Sequence, residues 1–262
     1  MIIFYILFLT QAFEKYSMSA QAVSMGMAIT ASATGTDAIR FNPALLSIQT
    51  KSELAISYQQ VLDGIEGLHN AWLGFNHKLG PAGIGIGLSE FGFSEQKEQN
   101  LTLACGFGLG NDLKLGAAGD LYLINNQRTS YGFAYGISFG FSSIVFKKWQ
   151  LGVYAHDINQ PEFSSSEYGH LPYELRAGIA YNPFQDIRSE FDLAMKDNEL
   201  RYRFATELLL FRLLYCRVGV QTNPQVISGG TGFKYRFIAI NYGVEHIPDL
   251  PLNHSVGIRV QL

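Results

Sequence analysis

The chain has 262 residues, of which 47% are hydrophobic and only 16% charged, and its net charge is −3. A soluble domain carries about 25% charged residues, so much of this surface is not built to face water. The weak, scattered charge offers no field for nucleic acid; no apolar run reaches the ~18 residues of a membrane-crossing helix; and 27 Gly, 14 Tyr and 19 Phe point to sheet.

Residues 1–9 are almost wholly apolar and lead into Thr10, Gln11 and Ala12, which resembles a short secretory signal lacking a basic n-region. A signal peptide is therefore expected over residues 1–19. Residues 20–51 come next, rich in Ala, Ser, Thr and Met, with a turn signal at Asn42-Pro43 and room for one or two short helices. This stretch has too few charges for a solvated arm, yet Met25, Met27, Ile29, Phe41, Leu45 and Leu46 give it apolar surface. It is expected to form a hatch in the mouth or lumen of a barrel built by the rest of the chain, with Asp37 and Arg40 free to pair with lumenal charges.

From residue 52 to residue 262 the alternation is nearly continuous. In the stretch 131–141, Tyr131, Phe133, Tyr135, Ile137, Phe139 and Phe141 share one face, while Gly132, Ala134, Gly136, Ser138 and Gly140 share the other. A greasy face backed by a small or polar face, about 9–11 residues long, is the pattern of a membrane-spanning barrel strand. The same reading applies around residues 54–58, 71–75, 84–88, 101–109, 113–123, 149–155, 175–181, 191–195, 202–210, 214–220, 227–235, 238–244 and 256–262. Turn chemistry separates these runs, as at Gly80-Pro81, Asn125-Asn126, Asn182-Pro183 and Asn223-Pro224. The expectation is an all-β antiparallel transmembrane barrel of about 14 strands over residues 52–262, in a bacterial outer membrane and in contact with its lipid. Most connections are short and leave little roof over a ligand pocket; the longest, 157–172, is expected to be a surface loop or fold-over.

Charges gather on the small-residue face. Lys114, Asp120, Arg176, Glu190, Asp192, Arg201, Arg203, Glu207, Arg217, Lys234, Arg236, Glu245 and Arg259 all alternate with apolar residues. Facing lipid near mid-bilayer, a charge would cost about 2–4 kcal/mol, so this side must face the lumen. There the charges are expected to pair, because an uncompensated buried charge is costly.

No motif argues for catalysis, and no cofactor is expected. Gly136-Ile137-Ser138-Phe139-Gly140 matches a nucleophile elbow, which needs a sharp strand-to-helix turn, whereas the alternation here runs straight through. An outer-membrane hydrolase would require an exposed Ser-His pair on neighbouring strands. The glycines between Gly83 and Gly87 are read as making room inside a barrel rather than as a phosphate loop. The six histidines, His69, His77, His156, His170, His246 and His254, show no i,i+4 pairing, so no metal site is expected. Cys105 and Cys216 fall on apolar faces and are read as small hydrophobes rather than a disulfide.

The segment Ala22-Val23-Ser24-Met25-Gly26-Met27-Ala28, with Asp37-Ala38-Ile39-Arg40-Phe41-Asn42-Pro43-Ala44-Leu45-Leu46 after it, resembles the amino-terminal signature of PorV/PorQ-like proteins. That family is related to the FadL-type outer-membrane barrels, which share the Asn-Pro-Ala element. Trp149 to Val153, Leu171 to Gly178, Glu207, Arg217-Val218-Gly219 and His254 to Gly257 extend the resemblance. Gln21, Leu45 and the closing leucine depart from it. The resemblance implies a hatch carrying Met25, Gly26, Asp37, Arg40, Asn42 and Pro43, and a non-enzymatic role beside secretion-system components or exported proteins, of the type IX kind. The alternative it implies is a FadL-like transporter for a hydrophobic ligand.

Overall fold

The computed structural model describes residues 13, 19–61, 67–110, 112–127, 131–165 and 168–262. The expected signal segment lies outside the described residues apart from Phe13 and Ser19, and so does Ser166 of the serine run in the long connection.

Fourteen antiparallel strands close into one barrel. In chain order they are β1 Glu53–Gln60, β2 His69–Leu79, β3 Ala82–Gly92, β4 Gln96–Leu109, β5 Leu113–Asn126, β6 Gly132–Val145 and β7 Trp149–His156. Then come β8 Glu174–Phe184, β9 Ile187–Lys196, β10 Glu199–Leu210, β11 Leu214–Gln221, β12 Val226–Tyr235, β13 Ile238–His246 and β14 Asn253–Gln261. Each pairs with its sequence neighbours, and β1 meets β14, with Glu53 opposite Gln261 and Gln60 opposite His254. Closure leaves no unpaired sheet edge, the condition for placing strands in hydrocarbon.

The side-chain period of two decides which face is which. Along β6, Phe133, Tyr135, Ile137 and Phe139 are exposed, and Gly132, Ala134, Gly136 and Ser138 are buried. Leu103 on β4 and Ile179 on β8 also point outward and are exposed, as the alternation predicts. No second sheet covers them; the outer face is a continuous apolar belt whose solvent is lipid. Cys105 and Cys216 are free thiols on β4 and β11, not a disulfide.

A charge in this belt tests the assignment. Leu103 is 57% exposed, and Leu103→Arg is expected to destabilise the barrel by about 2–4 kcal/mol in urea unfolding from lipid vesicles. In a water-facing strand the same change would be near neutral.

The two rims differ. On one, connections are short: 80–81, 185–186 and 236–237 join adjacent strands directly, and exposed Phe146, Phe184, Phe211 and Phe237 stand around that edge. The other carries the longer loops, including 157–173. In outer-membrane barrels the short turns are periplasmic and the long loops extracellular, with aromatic girdles at the interfaces. Among the described residues no helix is long and apolar enough to cross a membrane.

The buried core lies inside the barrel. Residues 19–48 occupy the lumen as short turns of helix: α1 Ala20–Ser24, a 3-10 turn Gly35–Asp37, α2 Ala38–Phe41 and a second 3-10 turn Pro43–Ile48. Ser19 caps α1 by accepting from Ala22 N, and Asn42 Oδ1 accepts from Ala44 N at the turn that Pro43 begins. Helices of one turn do not hold themselves; these are held by the wall around them.

Candidate functional site

The inner segment touches the wall almost all the way round. Residues of α1 pack on β12, β13 and β14, Ile39 of α2 lies against Gly85 of β3, and the Pro43 turn packs on β3, β4, β5 and β6. Its own apolar residues, Met25, Ile29, Ile39, Phe41, Leu45 and Leu46, cluster with Trp72 of β2. Burying such side chains stabilises by about 1.5–3 kcal/mol each. Close approach is possible where the wall lacks side chains: a Cβ on Gly106, Gly116 or Gly140 would collide with the Asn42-Pro43-Ala44 chain. Those glycines, on β4, β5 and β6, form the bed in which the turn lies.

Because the segment has little regular structure, its backbone groups need partners elsewhere. The lumenal charges supply them. Asp192 Oδ2 accepts from Thr30 N at 3.0 Å and Glu190 Oε1 from Ala31 N at 2.5 Å, while Ser32 Oγ donates to Glu190. Glu53 Oε1 accepts from Thr36 N at 3.1 Å. In the other direction Arg188 donates to Ser32 O at 3.1 Å, Arg176 to Arg40 O at 3.4 Å, and Lys78 to Ser47 O. Asn42 Nδ2 bridges Thr30 O and Phe141 O of β6, at 3.0 and 2.9 Å.

Among the described residues, ion pairs of the lumenal charges gather in three patches. On the periplasmic side, Arg259 pairs with Asp37 of the inner segment and lies 3.6 Å from Glu53, and nearby Glu207 pairs with Arg217 at 2.6 Å and Arg188 at 3.0 Å. On the extracellular side, Glu174 lies 2.6 Å from Arg176 and 3.8 Å from Arg203. The third patch joins Arg40 to Asn100 at 2.5 Å, to Thr102 at 3.3 Å and to Asp120 at 3.9 Å.

Other expected members make further contacts. Lys114 is buried but donates to the turn carbonyls of Gly110 and Leu113, and Glu245 accepts from Asn253 at 2.8 Å. Lys234 makes no ion pair among the described residues: it lines an open polar cavity of about 350 Å³ at the periplasmic mouth. Arg236 is a correction. It is exposed in the turn after β12 at φ 53°, stacked over Tyr235, because the alternation ends where the chain reverses.

Met25 is fully buried, and Gly26, at φ 54°, meets the backbone of Gly219 and Val220 on β11. Sequence reasoning passed over Glu53, Lys78, Glu174 and Arg188, although alternation alone would have put Glu53 and Glu174 on the lumenal face. Ser138 lies mid-strand and buried, with Asp157 N donating to its Oγ, and forms no elbow. Ser52 and His77 do touch at the periplasmic rim, Oγ to Nδ1 2.6 Å, but no carboxylate lies within ion-pair distance of that imidazole among the described residues.

Above the inner segment, on the extracellular side, the lumen turns apolar. Tyr122 and Ile124 of β5, Ala134 of β6, and Phe163 and Leu171 of the 157–173 loop form a buried cluster with Tyr168 at its edge. The loop is bent in by a bridge between Glu162 and His170, and supplies the roof that short connections had not promised. Inside sits the ring of Phe13, 4.9 Å from Tyr122 edge-on and 5.9 Å from Phe163 in a stack, its N–H donating to Glu98 at 2.6 Å.

No family model matches the sequence, and no curated protein does. Solved structures do match in fold. The CymD monoaromatic hydrocarbon channel superimposes with a TM-score of 0.73 at 13% identity, over 96% of this chain and 99% of that one. The toluene transporter TbuX of Ralstonia pickettii gives 0.69 at 10% identity, over 96% and 100%. A FadL homologue of Pseudomonas aeruginosa gives 0.65 at 10%, over 95% and 99%. The fold is thus that of bacterial outer-membrane barrels; the first two of these neighbours are named as a channel and a transporter.

Proposed function

We propose that the protein is an outer-membrane channel for small hydrophobic molecules, of the FadL kind, with residues 19–48 as its hatch. One observation carries the reading: a benzene ring, that of Phe13, already sits in an aromatic chamber on the extracellular side of the lumen. Edge-on and stacked contacts of this sort are each worth about 0.5–1.5 kcal/mol beyond area burial. A toluene-sized solute taking the place of that ring would find the same contacts, then meet the hatch below. This reading is preferred to the secretion role implied by the PorV/PorQ resemblance, which calls for no such chamber.

The test is uptake of radiolabelled toluene into vesicles containing the full chain. Ala134→Trp fills the chamber from the wall. Overpacking of that kind costs about 1–3 kcal/mol, so uptake and binding are expected to fall roughly 5- to 150-fold. Undiminished uptake in the folded variant would reject the chamber as the path.

A further inference from the structure

Beneath the aromatic chamber lies a second, chemically different cluster. Asp120 and Tyr122 are two residues apart on the lumenal face of β5; His156 ends β7 and Asp157 begins the loop after it. Strand β6 runs between them, and it places Gly136 opposite Asp120. A Cβ on Gly136 would collide with the Asp157 carboxylate, so the glycine is what lets Asp157 reach across to β5.

The groups are oriented, not merely near. Asp120 Oδ1 accepts from Asn100 Nδ2 at 3.1 Å and from Thr102 Oγ1 at 2.6 Å, beside Arg40. Its other oxygen, Oδ2, accepts no hydrogen bond and faces His156 Nε2 at 3.8 Å. Tyr122 OH lies 3.3 Å from the same nitrogen. On the far side of the ring, Nδ1 lies 3.2 Å from Asp157 Oδ2, which also accepts from Tyr122 OH at 2.8 Å. Side-chain exposures are 1% for Asp120, 0% for Asp157 and 4% for His156. Buried carboxylate oxygens without a donor, Asp120 Oδ2 and Asp157 Oδ1, require an explanation.

We propose that Asp120, Tyr122, His156 and Asp157 form a binding site for a divalent transition-metal ion of the zinc class. Among the described residues, Asp120, His156 and Asp157 bring their ligand atoms within 4.8 Å of one another. Tetrahedral zinc with bonds of about 2.0–2.2 Å separates its ligand atoms by roughly 3.3–3.6 Å. The spacings around Nε2 need only a small contraction to meet that. Asp120 Oδ2 and His156 Nε2 bind directly, with the Tyr122 oxygen as third donor. Asp157, 3.2 Å from the opposite ring nitrogen, is placed to take it in the carboxylate–histidine–metal arrangement that fixes tautomer and orientation. Two carboxylates balance the ion's charge, and a mixed imidazole and oxygen set suits zinc better than calcium or magnesium. An ion here ties β5, β7 and the roof loop together and, through Asp120 and Arg40, reaches the hatch. The site does not depend on what crosses the lumen.

The experiment uses the full chain folded in detergent micelles, stripped by chelator and titrated with zinc chloride, with bound metal counted by mass spectrometry. Heat-dependent electrophoretic mobility confirms that each variant is a closed barrel. One zinc per barrel is expected, lost in His156→Gln and in Asp120→Asn, weakened about 10–100-fold in Asp157→Asn, and unchanged in His246→Gln, which alters an exposed histidine. Cobalt in place of zinc should give tetrahedral visible absorption in the unaltered protein and in His246→Gln, and a changed spectrum in Asp157→Asn even if the other variants fail to fold. Less than one zinc per barrel, or equal affinity in folded His156→Gln, would overturn the proposal and leave the cluster as an imidazole held between two carboxylates.

Discussion

Deletion of residues 20–46 is expected to leave a folded barrel that conducts ions freely in a planar bilayer, where the intact chain conducts little. The wall does not need the inner segment for closure: every strand pairs with two neighbours, and β1 meets β14 without help. The lumen does need it. Barrel diameter grows with strand number, and about eight strands is the size at which inward side chains alone fill the interior. Here the inward positions opposite the segment are glycines over much of the wall, on β4, β5, β6, β7 and β11. Removing the segment leaves a space water can enter, and water then solvates Glu190, Asp192 and Glu53 in place of the backbone amides they now accept from. Loss of the barrel's heat-dependent mobility shift would show the segment to be structural instead. Equal conductance with and without it would end the hatch assignment.

How much of this was legible in the chain depends on the range of each interaction. Strand alternation is local, so Phe133, Phe139, Leu103 and Ile179 could be assigned to lipid from their neighbours alone, and the small-residue face to the lumen. Asn42-Pro43 could be recognised as a turn for the same reason. The meeting of Arg259 with Asp37 spans 222 residues of sequence, and no periodic pattern encodes which lumenal charge faces which. The three patches were therefore invisible as patches, and Lys234 and Arg236 were grouped with them only by register. Arg236 failed because register stops at a turn. Asp157 sits where β7 gives way to a loop, so alternation could not place it, and it took Gly136 on an intervening strand to let it reach Asp120 and His156. The roof of the chamber was hidden for a related reason: Phe163 and Leu171 lie in a connection, and only its bend turns them inward.

Arg259→Ala is expected to release the hatch without unfolding the barrel. The guanidinium is buried between Asp37 of the inner segment and Glu53 of β1, and also reaches Thr34 O at 3.4 Å. Removing it strands two buried carboxylates, and breaking a buried pair by deleting one partner costs about 3–5 kcal/mol. That cost falls on the docked state alone, because an undocked segment hydrates Asp37 and opens Glu53 to water. The docked population should fall by roughly two to four orders of magnitude relative to the undocked one. Bursts of bilayer conductance and faster proteolysis within residues 20–46 are the readouts, with urea unfolding of the barrel little changed. Replacing all three groups together, Asp37→Asn, Glu53→Gln and Arg259→Met, leaves no stranded charge, and should restore most of the closure that the single change loses. If the single and triple variants conduct alike, the ion pair does not hold the hatch; the Glu190 and Asp192 contacts to Thr30, Ala31 and Ser32 then do.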